Sequence, residues 1–317
     1  MAVPLIHHPH YVAPLPAGHR FPMTKYAALW HALSDAGLTD PRQSYTVEPA
    51  PRGWLELAHT PDYVAGVIER TLPRDAARRI GFEITERVVK RTRLSAAGTS
   101  LAARLALEHG LACQTAGGSH HGHPAFGAGF CVFNDVGVAA SLMRAEGLVD
   151  RILIVDLDVH QGDGTAAIFA DEPAVFTYSL HGEKNFPVRK VPGDLDVGLA
   201  DGTEDDAYLA ALDRDLEALI DHHRPELIFY NAGVDPHRDD KLGRLALSDA
   251  GLAARDGRVL RAALARDIPV VTVVGGGYGP DLARLARLHG QVIAEATRLW
   301  DAGAAWAPLP ADAALGG

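Results

Sequence analysis

Short apolar runs alternate with longer segments of helical period along most of this chain. The runs RILIVDLD (151–158) and PELIFYNAG (225–233) predict buried strands, and ERVVKRTRLSAAGTSLAARLALEHG (86–110) predicts a helix that ends at a glycine. Apolar strands that alternate with helices indicate a parallel sheet covered by helices on both faces, so we expect a three-layer α/β/α fold. Further strands are predicted at 111–117, 174–181 and 269–279, and further helices at 134–147, 162–170, 204–223, 248–267 and 281–300.

The length of 317 residues fits one large α/β domain or two small ones. No repeat or low-complexity linker divides the chain, so 1–317 is predicted to be a single domain with a core at roughly 5–300 and a tail at 303–317. The turn-rich stretches near 49–53 and after Leu72 are predicted to be loops within that domain.

Composition excludes several classes of protein. A formal net charge of −10 with scattered Lys and Arg argues against nucleic acid as the main partner. Two cysteines, Cys113 and Cys131, are too few for a disulfide framework or a cysteine-rich zinc site. We expect Cys131, in GAGFCVFND, to be a small buried hydrophobe, with a catalytic thiol as the alternative. No apolar stretch is long enough for a membrane span and the start lacks a signal-peptide pattern, so a cytoplasmic protein is expected.

Four of the predicted strands are followed by turns rich in His, Asp, Tyr and Gly. The turns are GSHHGHP, DLDVHQGDG, VDPHRDD and GGGYG. In an open α/β sheet ligands bind beyond the carboxyl ends of the strands. The four turns are therefore expected to share one site.

The second turn predicts two ligands for one cation. Residues i and i+2 lie on the same face of a strand, so Asp156, Asp158 and His160 share a face if the strand continues that far. Asp158 and His160 are then the predicted ligands, Asp235 after another predicted central strand is the best third ligand, and Asp156 suits a carboxylate that orients an imidazole. The two negative charges of these carboxylates, with a neutral imidazole, balance the charge of a divalent ion. The alternative interpretation is a set of acidic side chains on a solvated turn.

The tandem histidines His120 and His121 are candidates for acid–base chemistry. A metal-bound water needs a group that accepts its proton, and a histidine is suited to that near neutral pH. Asp156 and Asp163 are available to orient the pair. The alternative is a solvated histidine-rich loop, which is also the preferred interpretation of His123. The N-terminal histidines at positions 7, 8 and 10 are expected to form a solvated end or a loop contact.

Tyr278 directly follows three glycines. The glycines, among them Gly276 and Gly277, let the backbone pass close to a bulky group, so both are candidate substrate-binding residues. A tyrosine hydroxyl there can donate a hydrogen bond to a developing oxyanion. A tyrosine that merely packs under the last helix is an equal alternative.

Taken together, the motifs GGSHHGHP…GAGFCVFND, ILIVDLDVHQGDGT, YSLH, YNAGVDP and VVGGGYG resemble the zinc-dependent histone deacetylase superfamily, and most closely its bacterial and class IV members. The resemblance covers roughly residues 5–300 and implies an arginase-like fold with an eight-stranded, mainly parallel sheet. It implies Zn²⁺ on Asp158, His160 and Asp235, and a structural K⁺ near Asp156. The implied catalytic residues are His120, His121, Asp156, Asp163 and Tyr278, the implied tunnel residues are Gly129 and Phe130, and the implied K⁺ site comprises Asp156, Asp158, His160, Ser179 and Leu180.

Two stretches depart from the family pattern. The segment HGEKNFPVRKVPGDLDVGL replaces the one that usually brings a second tunnel aromatic, for which Phe186 is a loosely aligned candidate. The rim residues His237 and Arg238 are not shared with well-known nuclear members. These departures concern the choice of substrate and leave the chemistry unchanged.

The sequence therefore predicts a zinc-dependent amidohydrolase that removes an acetyl or longer acyl group from lysine in a protein. An acetylpolyamine amidohydrolase is the alternative within the same chemistry. A non-catalytic acyl-lysine binder would need a broken site, and a two-manganese ureohydrolase would need a second aspartate cluster that the sequence lacks. Fe²⁺ is compatible with a mixed O/N ligand set, and the oligomeric state is left open.

Overall fold

The computed structural model describes residues 3–303, which form one open sheet of eight parallel strands in the order β2-β1-β3-β8-β7-β4-β5-β6. All seven strand pairs in it are parallel, as the alternating pattern predicted. The strands are β1 (Leu5–Ile6), β2 (Ser44–Tyr45), β3 (Leu111–Gln114), β4 (Ile152–Asp156), β5 (Val175–Gly182), β6 (Leu195–Leu199), β7 (Leu227–Asn231) and β8 (Val270–Val273).

Ten α-helices connect and cover these strands within the described residues. Local caps fix their ends: the Thr85 side chain accepts from the N–H of Val88 at the start of α5, and Gly110 ends that helix with φ 87°. The helices are α1 (Lys25–Asp35), α2 (Arg52–Leu55), α3 (Pro61–Ile68), α4 (Arg74–Ile80), α5 (Glu86–His109), α6 (Asp135–Ala145), α7 (Asp163–Phe169), α8 (Asp205–His223), α9 (Asp249–Leu264) and α10 (Leu282–Asp301).

The sheet is buried on both faces, as a three-layer fold requires. Along β4, Leu153 and Val155 belong to one hydrophobic cluster, while Ile152 and Ile154 belong to the cluster on the opposite face. Period-two alternation thus packs one strand against two helical layers, which explains why the central strands read as continuous apolar runs.

Several local predictions were wrong. The stretches expected to be loops contain the short helix α2 and the seven-residue helix α4. Strand β4 ends at Asp156, so Asp158 and His160 lie on the following turn and not on an extended strand. The predicted tail at 303–317 lies, apart from Gly303, outside the described residues.

Across residues 3–303, no helix combines the length and the apolar character needed to cross a membrane.

Candidate active site

The four polar turns meet at the carboxyl ends of β3, β8, β7 and β4, which are consecutive neighbours in the sheet. Parallel strands deliver their following turns to the same edge, so residues more than 150 positions apart in the sequence become neighbours. The sheet order therefore provides the shared rim that the sequence predicted.

The predicted metal ligands Asp158, His160 and Asp235 form a compact buried cluster, with one ligand atom from each lying within 4.8 Å of the others. His160 Nδ1 lies 3.0 Å from Asp158 Oδ1 and 3.1 Å from Asp235 Oδ2. Ligands about 2.0–2.1 Å from a tetrahedral metal are separated by about 3.3 Å, close to these distances. Among residues 3–303 this is the single cluster of its kind.

The donor atoms of the cluster fit a divalent cation. Among the described residues Asp235 Oδ2 is buried without a hydrogen bond of its own, since His160 Nδ1, 3.1 Å away, already donates to Asp158 Oδ1. Its Oδ1 accepts from the N–H of Val159 at 2.9 Å. Burial, together with the nearby charge of Asp158, raises the pKa of Asp235 to about 7. Two buried carboxylates that share one imidazole are short of positive charge, which a divalent ion would supply.

His120 and His121 are both buried, and each contacts the aspartate that the resemblance implied. His120 Nδ1 donates to Asp156 Oδ2 at 2.7 Å, and His121 Nδ1 donates to Asp163 Oδ1 at 2.5 Å. The two rings are tilted against each other with centroids 4.1 Å apart. Each imidazole is therefore oriented through Nδ1, which leaves Nε2 directed away from its carboxylate.

The two imidazoles differ in their charge preference. Burial lowers the pKa of His120, but Asp156 and Asp158 more than offset it and raise the value to about 9. Burial and the neighbouring His120 lower the pKa of His121 to about 4, against the opposing effect of Asp163. Near neutral pH this arrangement favours one charged and one neutral imidazole, a separation typical of acid–base pairs.

Asp156 is itself held in place from two sides. Its Oδ1 accepts from Asn231 Nδ2 at 2.9 Å and from the N–H of Asp158 at 3.2 Å. Asn231 lies opposite Asp156 in the pairing of β7 with β4. The orientation of His120 therefore depends on the register of two central strands.

His123 contacts the same aspartate as His121, contrary to its interpretation as part of a solvated loop. Its Nε2 donates to Asp163 Oδ2 at 3.0 Å, and its ring stacks on Phe126 with centroids 4.2 Å apart. Burial opposes ionisation of Asp163, but the hydrogen bonds from both histidines lower its pKa well below the usual range. The sequence offered one indication of this: His123 lies on the same glycine-rich turn.

Tyr278 lies beside the metal cluster, with its ring edge-on to that of His160 at a centroid distance of 6.1 Å. Burial and the carboxylates of Asp235 and Asp158 raise its pKa well above the usual value. The phenol therefore stays protonated and can donate a hydrogen bond. The N–H of Tyr278 donates to Asp240 Oδ2 at 2.6 Å, a contact that the sequence did not predict.

The glycine turn is also supported by Lys25, another residue that the sequence missed. Lys25 is fully buried, and its Nζ donates to the carbonyl oxygens of Gly275 at 2.9 Å and of Gly277 at 3.4 Å. Burial lowers its pKa to about 8 despite Asp235 and Asp158. A lone lysine at the start of an amphipathic helix gave no indication of this contact.

Gly276 lies against the metal cluster, where its N–H donates to Asp158 Oδ2 at 2.7 Å. A Cβ at Gly276 would approach Asp235 Oδ2 to 2.0 Å, so this position accommodates only glycine. Neither Gly276 nor Gly277 lines the outer cavity described next, and their predicted contact with substrate stays a prediction.

A cavity of about 730 Å³ opens onto this site. Gly129, Phe130 and Phe186 line it together with His121, His160 and Tyr278. The Phe186 ring meets that of His121 edge-on with centroids 4.8 Å apart, and a Cβ on Gly129 would lie 2.5 Å from His121 Cδ2. Glycine at position 129 thus keeps the cavity wall open beside His121. Phe186 lies in the cavity lining, where the resemblance implies a second tunnel aromatic.

The remaining predicted residues lie nearby. Asp156 and Ser179 are cross-strand partners in β4 and β5, with Leu180 next in the same strand, which brings together part of the implied potassium site. The expectation of His237 at the rim was wrong, because it is buried and its Nε2 donates to Asp249 Oδ1 at 3.0 Å. Cys131 is buried, as predicted, and both cysteines are free.

Comparison with known proteins shows which family the chain resembles. A model of the histone deacetylase domain matches residues 19–295. An uncharacterized protein of a Picosynechococcus species is 50% identical over 289 residues, which cover 91% of this chain and 96% of that protein. Histone deacetylase 2 of Arabidopsis thaliana is 32% identical over 279 residues, 84% of this chain and 71% of that protein. The crystal structure of the HDA15 HD domain, 21% identical, has a TM-score of 0.75 over 93% of this chain and 89% of that one, which bears on the fold alone.

A parallel α/β sheet with a buried Asp–His–Asp cluster at its carboxyl edge defines a class, the metal-dependent hydrolases of arginase-like fold. Within that class, the chain belongs to the histone deacetylase family. Members of this family are hydrolases that act on amides, so the chain is an enzyme of that type.

Proposed function

We propose that this chain is a zinc-dependent lysine deacylase, which hydrolyses the amide between an acetyl or longer acyl group and the side chain of lysine in a protein. The observation that carries the proposal is the convergence of the Asp158–His160–Asp235 cluster, the His121–Asp163 pair and Tyr278 at one end of the cavity. Metal-dependent amide hydrolysis needs three groups close together: a metal site, a general base and a hydrogen-bond donor.

Asp158, His160 and Asp235 would hold the ion. When bound, a divalent ion polarises the acyl carbonyl and acidifies a water molecule. Two carboxylates and one imidazole suit Zn²⁺, and the same mixed ligand set also accommodates Fe²⁺.

His121 is the proposed general base. Its Nδ1 donates to Asp163, so Nε2 is free to accept the proton of the attacking water and then to pass it to the departing lysine amine. The net reaction consumes one water and releases one amine and one carboxylate. His120, held by Asp156, contributes positive charge beside the reacting carbonyl.

Tyr278 is the proposed oxyanion donor. Its raised pKa keeps the hydroxyl protonated, so it can donate to the carbonyl oxygen as negative charge develops there. The acyl-lysine stem would be enclosed by Gly129, Phe130 and Phe186. The chain at Gly276 and Gly277 would form the backbone behind this stem. A structural K⁺ near Asp156 and Ser179 is part of the proposal.

The competing functions differ in what they require. A non-catalytic binder would not need the His121–Asp163 pair, and a two-metal ureohydrolase would need a second acidic cluster beside the first. An acetylpolyamine amidohydrolase would use the same site chemistry on a small cationic amine in place of a lysine in a protein.

A substrate series tests the proposal. The full chain loaded with Zn²⁺ is offered lysine peptides with acetyl to long-chain acyl groups, and acetylpolyamines in parallel. We expect hydrolysis of at least one acyl-lysine peptide, faster than that of any acetylpolyamine. Hydrolysis of acetylpolyamines alone would favour the alternative, and hydrolysis of no member would reject the enzymatic proposal.

A further inference from the structure

We propose that the preferred substrate carries acidic residues on either side of the acyl-lysine, so that the enzyme selects acidic peptide segments. This inference rests on the proposed function and specifies its substrate. It is carried by the charge around the opening of the cavity, which is opposite to the charge of the whole chain.

The opening is lined by five cationic side chains. None of the residues lining this cavity, all within 3–303, is Asp or Glu. This cationic rim consists of Arg20, Arg78, Arg79, Lys184 and Arg244. The whole chain has a net charge of −10, whereas the lining of this cavity holds five cationic side chains and no acidic one. The sign of the local charge is therefore opposite to that of the chain.

Most of the cationic rim is not neutralised by the protein itself. Arg244 pairs with Asp201 at 3.1 Å, but Arg20, Arg78 and Lys184 make no ion pair with any carboxylate in the described part of the chain. The same holds for Arg79, whose guanidinium lies 4.8 Å from the centre of the Phe126 ring. The rim therefore presents four cations whose natural partners would come from a ligand.

Arginines elsewhere on the surface are commonly paired. Arg151 contacts Glu226 at 3.2 Å, Arg266 contacts Asp221 at 2.8 Å, and Arg214 contacts Asp215 at 2.6 Å. Other arginines in the described part of the chain, such as Arg74 and Arg287, also make no ion pair, so the rim is distinguished by the convergence of its cations on one cavity.

The field of this rim acts on whatever surrounds the scissile amide. Cations that converge on a cleft attract anionic ligands and repel cationic ones over about one Debye length, roughly 8 Å at physiological salt. Asp or Glu within a few residues of the acyl-lysine would come within that range. An acetylpolyamine, which carries further ammonium groups, would be repelled.

A set of matched peptides tests this selection. One acetyl-lysine peptide is made with Asp and Glu flanks, with Gln flanks and with Lys flanks, and kcat/KM is measured with the Zn²⁺-loaded full chain. At low ionic strength we expect the acidic peptide to exceed the basic one by about tenfold or more, with the neutral peptide between them. The ratio is expected to shrink as salt is raised, because exposed charges are screened.

Charge reversal at the rim locates the effect. Arg20→Glu/Arg78→Glu is expected to remove or invert the ratio of acidic to basic peptide. Arg20→Gln/Arg78→Gln, which only neutralises, is expected to reduce it. The control is Arg224→Glu, an exposed position just before β7 at the opposite edge of the sheet, for which we expect an unchanged ratio.

The outcomes separate this inference from the proposed function. Hydrolysis of the neutral peptide with acidic and basic rates within twofold would overturn the acidic preference and leave the deacylase proposal intact. A preference that survives charge reversal at the rim would overturn its assignment to these residues. No hydrolysis of any peptide would reject the deacylase proposal, and the inference with it.

Discussion

The side chain of Asp240 fixes the backbone of Tyr278: its Oδ2 accepts the N–H of Tyr278 at 2.6 Å, while its Oδ1 accepts the N–H groups of Leu242 and Gly243 at 2.7 and 2.9 Å. One carboxylate thus joins the loop after β7 to the glycine turn after β8. Since Tyr278 is the proposed oxyanion donor, Asp240 is a positioning residue for it.

Asp240→Asn is expected to lower kcat about tenfold with a smaller effect on KM. The amide oxygen can keep the contacts with Leu242 and Gly243, but the NH₂ group would face the N–H of Tyr278, so that hydrogen bond is lost. A hydrogen bond to a charged group is worth about 1.5–3 kcal/mol. Kinetics of the variant measure this, with the exposed neighbour change Asp239→Asn as the control. In a Tyr278→Phe background the Asp240 effect should largely disappear, whereas additive losses would argue for a merely structural role.

Tyr278→Phe is expected to fold normally, keep its metal and lose activity by a factor on the order of 10²–10³, the usual cost of one oxyanion donor. The phenylalanine retains the ring contacts with Phe130 and His160, so the thermal midpoint should hardly move. Rate assays, metal analysis and thermal unfolding measure the three properties. Near-normal turnover would exclude the assigned role.

Asp235→Asn is expected to lower metal content. The amide oxygen can still accept from the N–H of Val159, but the variant lacks the anionic Oδ2, which has no hydrogen bond of its own within residues 3–303. Metal analysis after dialysis is the measurement, with Asp163→Asn as a control that should keep its metal and lose activity. Full occupancy in Asp235→Asn would count against Asp235 as a ligand.

His123→Phe is expected to lower kcat about tenfold, because it removes a hydrogen bond to the charged Asp163 and preserves the stacking on Phe126. Phe126→Leu is the matched control, since it removes the stacking partner and leaves the hydrogen bond in place. If the two variants lost kcat equally, the packing of His123 on Phe126, and not its hydrogen bond to Asp163, would explain the effect of the substitution.

The sequence predicted the central part of the fold well, and its failures have physical reasons. Strands β4 and β7 are continuous apolar runs because both of their faces are buried, and this is visible in sequence. Strand β1 has two residues, too few to show any period, and β6 is an edge strand with a glycine and half-exposed positions. Helix α4 has the sequence RDAARRI, in which a single large apolar residue gives no helical stripe.

Site residues that lie within one short sequence motif could be predicted. Those that come together from separate segments only in the folded chain could not. Asp158, His160 and the tandem histidines lie within short motifs, and the structure brings them together as expected. The cationic rim comes from four separate segments, so Lys and Arg that look scattered in sequence converge only in the folded chain. Lys25 and Asp240 act through backbone contacts across the fold, which no local pattern records.

Removal and return of the metal ion is the decisive experiment for a metal-dependent deacylase. We expect that the chain treated with a strong chelator loses its hydrolysis of an acyl-lysine peptide, and that about one equivalent of Zn²⁺ or Fe²⁺ per chain restores it, because the described residues offer one cluster of three ligands. Full activity of the metal-free chain, or a requirement for two equivalents, would contradict it.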